Sequence, residues 1–410
     1  MLNAHSRGIG CLAKPYMQNA AIVKPMLGTM GRYMTPYLHV TMGAAARQGN
    51  LTYFAYDERT VFFFCLLAPC WYAGLHDTAD LPEAMGFSRE PASIWYNGRT
   101  MQVISNMEQT KIEADTVLTV GSFDGLHRGH QKLFRELIAR AKTRGVLSAA
   151  VTFYPHPRVV LHPDVQPTYL TTDNERARIL KGLGLDLLVL IAFTRELAAT
   201  PAEDFVRQLV QELRMRELWV GPGFALGRGR EGQIPALSRL GETLGYALHT
   251  VAPIYDEGEP ISSTRIRRLL ANGQVADAAR LLGRYYALSG AVLHGAQRGR
   301  QLGFRTANLR VPVERASPAD GVYAVWAIAG DERHPGVANI GIRPSFDAGE
   351  RLLETHLIGF EGDLYGRHLR VEFVRHLRGE QRFESAEALT AQVQEDIRVA
   401  TRLLVQVPTE

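Results

Sequence analysis

From residue 101 onward the chain alternates between two hydrophobic periods. Thr116 to Val120 is an apolar, β-branched run of the kind that fits a pleated, packed surface, so a buried strand is expected there. Leu133, Phe134, Leu137, Ile138 and Ala141 then recur at helical spacing within 131–143. Val146 to Phe153 reads as a second strand, Asp173 as the cap of a helix running to about Lys181, and Leu185 to Phe193 as another buried strand. Thr200-Pro201-Ala202-Glu203 opens a helix with proline at its first position and a capping box, and Leu218 to Gly221 gives a further strand. Strands and helices in this alternation predict a doubly wound parallel α/β sheet with right-handed crossovers, whose ligands bind beyond the carboxyl ends of the strands.

The texture changes after Gly283-Arg284-Tyr285. Short alternating strands are expected at Leu288–Leu293, Gly321–Ile328, Gly336–Ile340, Leu352–Ile358 and Leu369–Val374, divided by Gly and Pro, which is the pattern of a closed or nearly closed β-barrel. Ser385 to Val405, with Leu389, Val393, Ile397 and Leu404, reads as a helix packed on it. Residues 1–100 show no long clean period. Their most apolar piece, Val61 to Leu75, contains Pro69 and falls short of the roughly 20 residues a membrane helix needs. It lies too far from the N-terminus for a secretory signal. The expected division is an extension over 1–100, either poorly ordered or an upstream-start artefact, then domains at 101–284 and 285–410. Met101-Gln102-Val103-Ile104 could itself open a protein.

Composition changes the picture little. With 46% hydrophobic and 21% charged residues the chain is of the globular class, and a formal charge of +4 suits anionic small molecules as well as nucleic acid. The three cysteines, Cys11, Cys65 and Cys70, all precede the motif-bearing part, so a disulfide scaffold is not expected and a reducing cytoplasm is.

The candidate chemistry centres on Gly121-Ser122-Phe123-Asp124-Gly125-Leu126-His127-Arg128-Gly129-His130, a glycine-rich turn from the first strand into the first helix. A helix start offers unpaired N–H groups and the positive end of a dipole to phosphate, and glycines let the backbone approach a ligand. Two imidazoles three residues apart can donate to phosphoryl oxygens. Either feature alone often does no more than reverse the chain or fill a core. Together they point to a nucleotide site with chemistry attached.

The turn resembles the HxGH signature of the nucleotidylyltransferases, and in its GxFDGxHxGH form it resembles the adenylyltransferase half of the bifunctional riboflavin kinase/FMN adenylyltransferase family. Thr152-Phe153-Tyr154-Pro155-His156-Pro157 is similar to that family's TFxPHP, with Tyr154 where an acidic residue is usual. Gly221 to Gly227 is similar to its GxDFxxG, with Gly223 replacing Asp or Asn. Ile261-Ser262-Ser263-Thr264-Arg265-Ile266-Arg267 matches ISSTxIR, and its hydroxyls, helix-start N–H groups and guanidinium forks suit an anion. In the second half, Gly295 to Asn308 is a basic glycine-rich loop that by itself could face phosphate or RNA. It resembles GxxRGRxLGFPTANL, with Arg305 where proline is usual. Asn339 to Phe346 resembles NxGxRPTF with Ser345 as the change, and Glu354, His356 and Asp363 to Gly366 resemble ExHxx…DLYG.

The resemblance, running from about Met101 to Arg402, implies two reactions. Riboflavin and ATP give FMN; FMN and ATP then give FAD and pyrophosphate. It implies catalytic roles for His127, His130 and Glu354, the last as the base for the riboflavin 5′-hydroxyl. Nucleotide contacts are implied for Gly121, Phe123, Asp124, Gly125, His156, Ser262, Ser263, Thr264, Arg267, Gly299, Arg300 and Gly303, with Arg267 on the pyrophosphate end. Thr306 and Asn308 would hold Mg2+, a hard ion suited to their oxygens. The expected partners are riboflavin, FMN and ATP, with no nucleic acid, no membrane and at most weak self-association. Two alternatives stand beside this reading: a chain keeping one activity because of Tyr154, Gly223 or Arg305, or a non-catalytic flavin- or RNA-binding regulator.

Overall fold

The computed structural model describes residues 92–96, 99–105, 107, 112–166, 168–294, 304–342 and 351–406, and those residues belong to one unit spanning Leu75–Glu410. Expectations for the 1–91 segment, for Gly299, Arg300 and Gly303, and for Arg343 to Phe346 lie outside the described residues.

The first half runs β1 (Ala92–Tyr96), β2 (Arg99–Ile104), β3 (Thr116–Val120), α1 (Arg128–Arg144), β4 (Leu147–Tyr154), α2 (Pro157–Leu161), α3 (Asp173–Leu183), β5 (Leu187–Ala192), α4 (Arg195–Ala199), α5 (Ala202–Glu212) and β6 (Met215–Val220). It continues through the hairpin β7 (Ala225–Leu226) and β8 (Gly232–Gln233), α6 (Ile234–Leu244), β9 (Ala247–Thr250), the hairpin β10 (Tyr255–Asp256) and β11 (Glu259–Pro260), α7 (Ser263–Ala271) and α8 (Val275–Leu282). Among the described residues, the main sheet has the order β1-β2-β5-β4-β3-β6-β9, parallel from β2 onward with β1 antiparallel at its edge. This is the doubly wound sheet expected. Its strand order reverses between β3 and β6, so a crevice opens beyond their carboxyl ends, where the turn at 121–130 and the Gly221–Gly227 turn both emerge.

Several boundaries differ from expectation. The sheet begins before residue 101, because β2 starts at Arg99 and pairs along its length with β1, which covers that edge. Helix α1 starts at Arg128 rather than Gln131, with His127 as its N-cap. Helix α3 is capped by Thr172, not Asp173: Thr172 and Glu175 complete a reciprocal capping box. The box expected at Thr200 does not form. Thr200 instead ends α4, its hydroxyl donating to Glu196 O at 3.3 Å, Pro201 becomes the cap residue, and the Ala202 N–H goes to the distant Glu231 carboxylate at 2.9 Å.

Helix α1 is fastened to the sheet by one buried carboxylate. Glu217 on β6 is 1% exposed and accepts from Arg140, Arg144 and Trp219 at 2.7–3.1 Å. Burial pushes this carboxyl up, but those bonds outweigh it and draw it down to about 2. The helix that carries the histidine turn therefore sits on a charged clamp as well as on Leu133, Phe134 and Leu137.

The second half comprises β12 (Tyr286–Ala291), β13 (Ala307–Arg310), β14 (Gly321–Ala329), β15 (Glu332–Ile342), β16 (Arg351–Leu357), β17 (His368–Arg378) and α9 (Ala386–Val405). Among the described residues, these strands form an antiparallel sheet in the order β12-β17-β14-β15-β16-β13. A bridge between Leu293 and Asn308 joins its two ends into a nearly closed barrel. Strand β13 lies in what the sequence suggested was loop; its Ala307 and Leu309 fill the interior while Asn308 faces out. The barrel interior is Tyr323, Val325, Leu353, Val371 and Phe373, and α9 covers part of the outer face through Ala400 and Leu404 against Val322, Trp326 and Val374.

Candidate active sites

The first site is a strained turn held from several sides. Phe123, Gly125 and Leu126 all adopt positive φ, at 46°, 80° and 40°. Such conformations in non-glycine residues persist only where the surroundings fix them. Here the Asp124 carboxylate, 1% exposed, accepts from the Leu170 and Thr171 N–H groups at 3.0 Å and from the Thr171 hydroxyl at 3.1 Å, and it pairs with Arg267. Gly125 N–H donates to Thr171 Oγ1 at 3.1 Å, and Ser263 Oγ donates to Asp124 O at 2.8 Å. The Asp124 side chain is thus committed to building the turn. Arg267 is tied to it and to Thr168 O at 2.7 Å.

What the turn presents is a pair of imidazoles stacked 3.7 Å apart, with Phe123 edge-on to His130. His127 Nδ1 accepts the His130 N–H at 3.4 Å. Burial drives His127 down to about 4, with the Arg284 charge adding to that and Asp124 opposing it. His130 is pushed well below 6.5 by burial first, then by His127 and Arg176. Both rings are therefore neutral near pH 7. Since His127 Nδ1 is an acceptor, its proton sits on Nε2, a donor for a phosphoryl oxygen. The N-termini of α1 and α7 converge here. A Cβ on Gly129 would lie 3.2 Å from the His127 ring and 3.9 Å from Ile261 O, so glycine keeps the two helix starts close. Ser262 caps α7 through Arg265 N–H at 3.2 Å, and Thr264 is exposed on its first turn.

His156 caps α2, taking Arg158 N–H at 3.1 Å, while its own N–H donates to the Tyr169 hydroxyl at 3.1 Å. Burial lowers it too. With Gly121, Phe153, Phe193, Phe205, Gly223 and Phe224 it borders a cavity of 400 Å³ beyond the strand ends. Tyr154, in the place of an acidic residue, is on the surface with its ring beside Tyr169. Arg176, which the motifs did not single out, is 3% exposed, donates to Thr152 Oγ1 at 3.0 Å and pairs with Asp173 at 3.2 Å. Its sequence signal was only a helical basic residue, so burial beside the imidazoles was invisible there.

The second site is assembled by strand register. Glu354 on β16 lies directly opposite Asn308 on β13 and opposite Asn339 on β15. Directly opposed residues share a face, so these three side chains meet on the outside of the barrel. Asn308 is 8% exposed and its Oδ1 has no hydrogen-bond partner among the described residues. Thr306, two residues earlier, borders two cavities at once. One, of 660 Å³, lies between the barrel and α9 and includes Asn339, Glu354, Phe383 and Leu389; the other, of 290 Å³, includes Arg305, Asn308, Asp363 and Tyr365. Arg378 closes the larger one with a forked bond to Asp396 on α9 at 2.8–3.1 Å. Arg305 donates to Glu361 O at 3.1 Å, while its own carbonyl is 2.9 Å from His356 Nδ1. A buried amide oxygen with no partner among the described residues, in a cavity that Thr306 also lines, fits a hard cation such as Mg2+.

Both halves match family models, FAD synthetase over residues 109–265 and riboflavin kinase over 282–404. The bifunctional riboflavin kinase/FMN adenylyltransferase of Escherichia coli K12 is 40% identical over 296 residues, covering 72% of this chain and 94% of that protein. The chain belongs to the bifunctional riboflavin kinase/FMN adenylyltransferase family. The Pseudomonas fluorescens member is 39% identical over 306 residues, covering 74% of this chain and 98% of the relative. A solved structure described as a macrolide-efflux protein from Streptococcus pneumoniae shares the fold at a TM-score of 0.68 and 30% identity, over 73% of this chain and 98% of that one. No helix among the described residues is long and apolar enough to cross a membrane. The histidine turn lies within the stretch matched to FAD synthetase, and Glu354, Asn308 and Thr306 lie within the stretch matched to riboflavin kinase.

Proposed function

We propose that this chain phosphorylates riboflavin to FMN at the barrel and adenylylates FMN to FAD at the histidine turn, 101–284 together with the edge strand before it serving as the adenylyltransferase domain and 285–410 as the kinase domain. The observation that carries the reading is that both reacting constellations are present in one chain: stacked neutral imidazoles at the start of α1, and Glu354 in register with Asn308.

In adenylyl transfer an FMN phosphate oxygen bonds to the α-phosphorus of ATP while the bond to the β-phosphate bridge breaks, releasing pyrophosphate. No covalent enzyme intermediate is needed. The chain's task is positioning and charge stabilisation. His127 offers Nε2–H, and the N-termini of α1 and α7 offer further N–H groups to the phosphates. The 400 Å³ cavity with its aromatic walls takes a flat ring, which we assign to the flavin. In the kinase reaction Glu354 takes the proton of the riboflavin 5′-hydroxyl as that oxygen bonds to the γ-phosphorus of ATP and ADP leaves. Thr306 borders both barrel cavities, which marks it as the meeting point of the two substrates, riboflavin in the larger and nucleotide in the smaller. Thr306 and Asn308 would hold magnesium, whose charge neutralises the ATP phosphates when bound.

The reading involves small molecules only; nucleic acid, membrane and strong self-association have no part in it, and the cytoplasm is the compartment it implies. Incubating the protein with riboflavin and Mg-ATP tests it: FMN should form and then be converted to FAD. FMN piling up unconverted would remove the first site's assignment, and absence of FMN the second's.

A further inference from the structure

The junction between the two domains and a segment of the barrel both brace the adenylyl-transfer turn through residues that no motif contains. Arg284 lies between α8 and β12, two residues before the barrel begins. Its half-buried guanidinium donates to Gly125 O at 2.8 Å and, more weakly, to Leu126 O at 3.4 Å, the two carbonyls immediately before His127. Gln131, on the first turn of α1, reaches both Leu126 O at 2.8 Å and Leu282 O at 2.7 Å, fastening the end of α8 to the same turn. A second strut comes from 314–316. Tyr169 N–H donates to Glu314 O at 2.6 Å, Ala316 N–H returns to Tyr169 O at 2.9 Å, and Arg315 binds Glu175 at 2.8 Å, Ala287 O at 3.1 Å and Leu170 O at 3.3 Å. Leu170 and Thr171 are the backbone that the Asp124 carboxylate grips from the turn's side. The loop carrying His127 is thus held between two sets of bonds that originate in or next to the barrel.

We propose that Arg284, at the junction where the adenylyltransferase domain meets the barrel, is the positioning residue that sets His127 by gripping the carbonyls of Gly125 and Leu126, with the barrel's 314–316 segment bracing the same turn from its other side. The need is physical. Phe123, Gly125 and Leu126 sit at positive φ, and a strained turn keeps its shape only while its carbonyls and N–H groups stay engaged. A planar fork can serve two adjacent carbonyls where a single ammonium serves one. The proposal rests on the assignment of adenylyl transfer to this turn.

Kinetics of both reactions on the full-length chain test it. R284A should lower kcat for FAD formation from FMN by about 10- to 100-fold, the effect of a reacting group displaced by about an ångström, with KM for FMN and ATP changed by less than about threefold. FMN formation from riboflavin should hold at the parent's rate, since Arg284 touches no kinase residue described above. R284K should recover only part of the loss. Millimolar guanidinium added to R284A should restore FAD synthesis without affecting FMN synthesis. FAD formation by R284A at the parent's rate would overturn the proposal. So would a loss that guanidinium leaves untouched and that accompanies a lowered melting temperature, because Arg284 would then be holding the fold rather than the turn. By contrast, undiminished FAD synthesis in H127A would remove the underlying assignment itself.

Discussion

The two sites proposed for this chain would both bring ATP against a flavin, and they are built with opposite backbone strategies. The adenylyl-transfer site uses contiguous residues, 121–130, bent through three positive-φ positions and locked by Asp124, Thr171 and Arg284. The kinase site takes single residues from neighbouring relaxed strands and aligns them by register, Glu354 between Asn308 and Asn339. A turn concentrates N–H groups and buried rings around phosphate, at a cost in backbone strain that the rest of the domain must offset. A strand face needs no strain, but it depends on pairing across the barrel and on α9 to wall off the substrate.

The largest expected effect separates the two reactions. E354Q keeps the shape of the side chain and its place opposite Asn308 but removes the proposed base, so FMN formation should fall by about 10²- to 10⁴-fold. FAD formation from supplied FMN should be unchanged, because nothing in the turn depends on Glu354. If FMN production survived the substitution, strand register would be aligning Glu354 for some purpose other than catalysis.

Next in size is a pH effect confined to the turn. His127 has an ordinary value of 6.5 when unfolded and is drawn to about 4 by burial in the native state. Above pH 6.5 it is neutral in both states and its contribution is fully present. As the pH falls toward 4 the unfolded chain takes up a proton that the native chain does not, so stability drops, by about 3 kcal/mol over the window. His130 pushes in the same direction. Urea unfolding at pH 7 and pH 5 should show about 2 kcal/mol of this loss, the part lying between 6.5 and 5, and the double variant H127Q/H130Q should flatten it. An equally steep decline in the variant would place the titrating groups elsewhere.

Glycine substitutions sharpen the contrast in strain. Gly125 has φ +80°, and a Cβ there would lie 2.7 Å from Leu170 Cδ1, a side chain 1% exposed and unable to swing away. G125A should cost about 1–3 kcal/mol and reduce FAD synthesis with it. Gly359, in the barrel half, has φ +74° but open space around it, so G359A should cost about 1–2 kcal/mol, the left-handed penalty alone, and spare both reactions. Equal melting temperatures for the two variants would remove the claim that the turn is the more tightly held of the two.

How much of this was legible in the chain follows from the same contrast. The alternation of apolar runs gave the parallel sheet and the barrel, because each strand's burial is a local pattern. The histidine turn stood out in the sequence because its glycines and imidazoles are contiguous. Caps were misplaced where the partner was non-local or one residue away: Thr172 outcompeted Asp173 through Glu175, and Ala202 N–H found Glu231 instead of Thr200. Strand β13 was hidden because it lies at the end of a glycine- and arginine-rich stretch, where composition suggests loop. Arg176, Arg284 and Arg315 carried no signal at all. Each is an ordinary basic residue until the fold buries it against a backbone carbonyl or hydroxyl far away in sequence.

The smallest expected effect concerns Arg305, which stands where the family usually has proline. Its guanidinium meets Glu361 O on an exposed face of the smaller barrel cavity, beside Asp363 and Tyr365. Its contribution to the site passes through an exposed contact, and such contacts contribute little. The bond that reaches the motif, donated by His356 Nδ1–H to the Arg305 carbonyl, uses a backbone oxygen that proline also has. R305P should therefore keep kcat for FMN formation and change KM for ATP by no more than about threefold, upward if the cation helps attract the phosphates. FAD synthesis should not respond. A loss of about tenfold or more in kcat would mean that the guanidinium works inside the reacting centre, and the kinase site of this chain would then depart from its register-built plan at that residue.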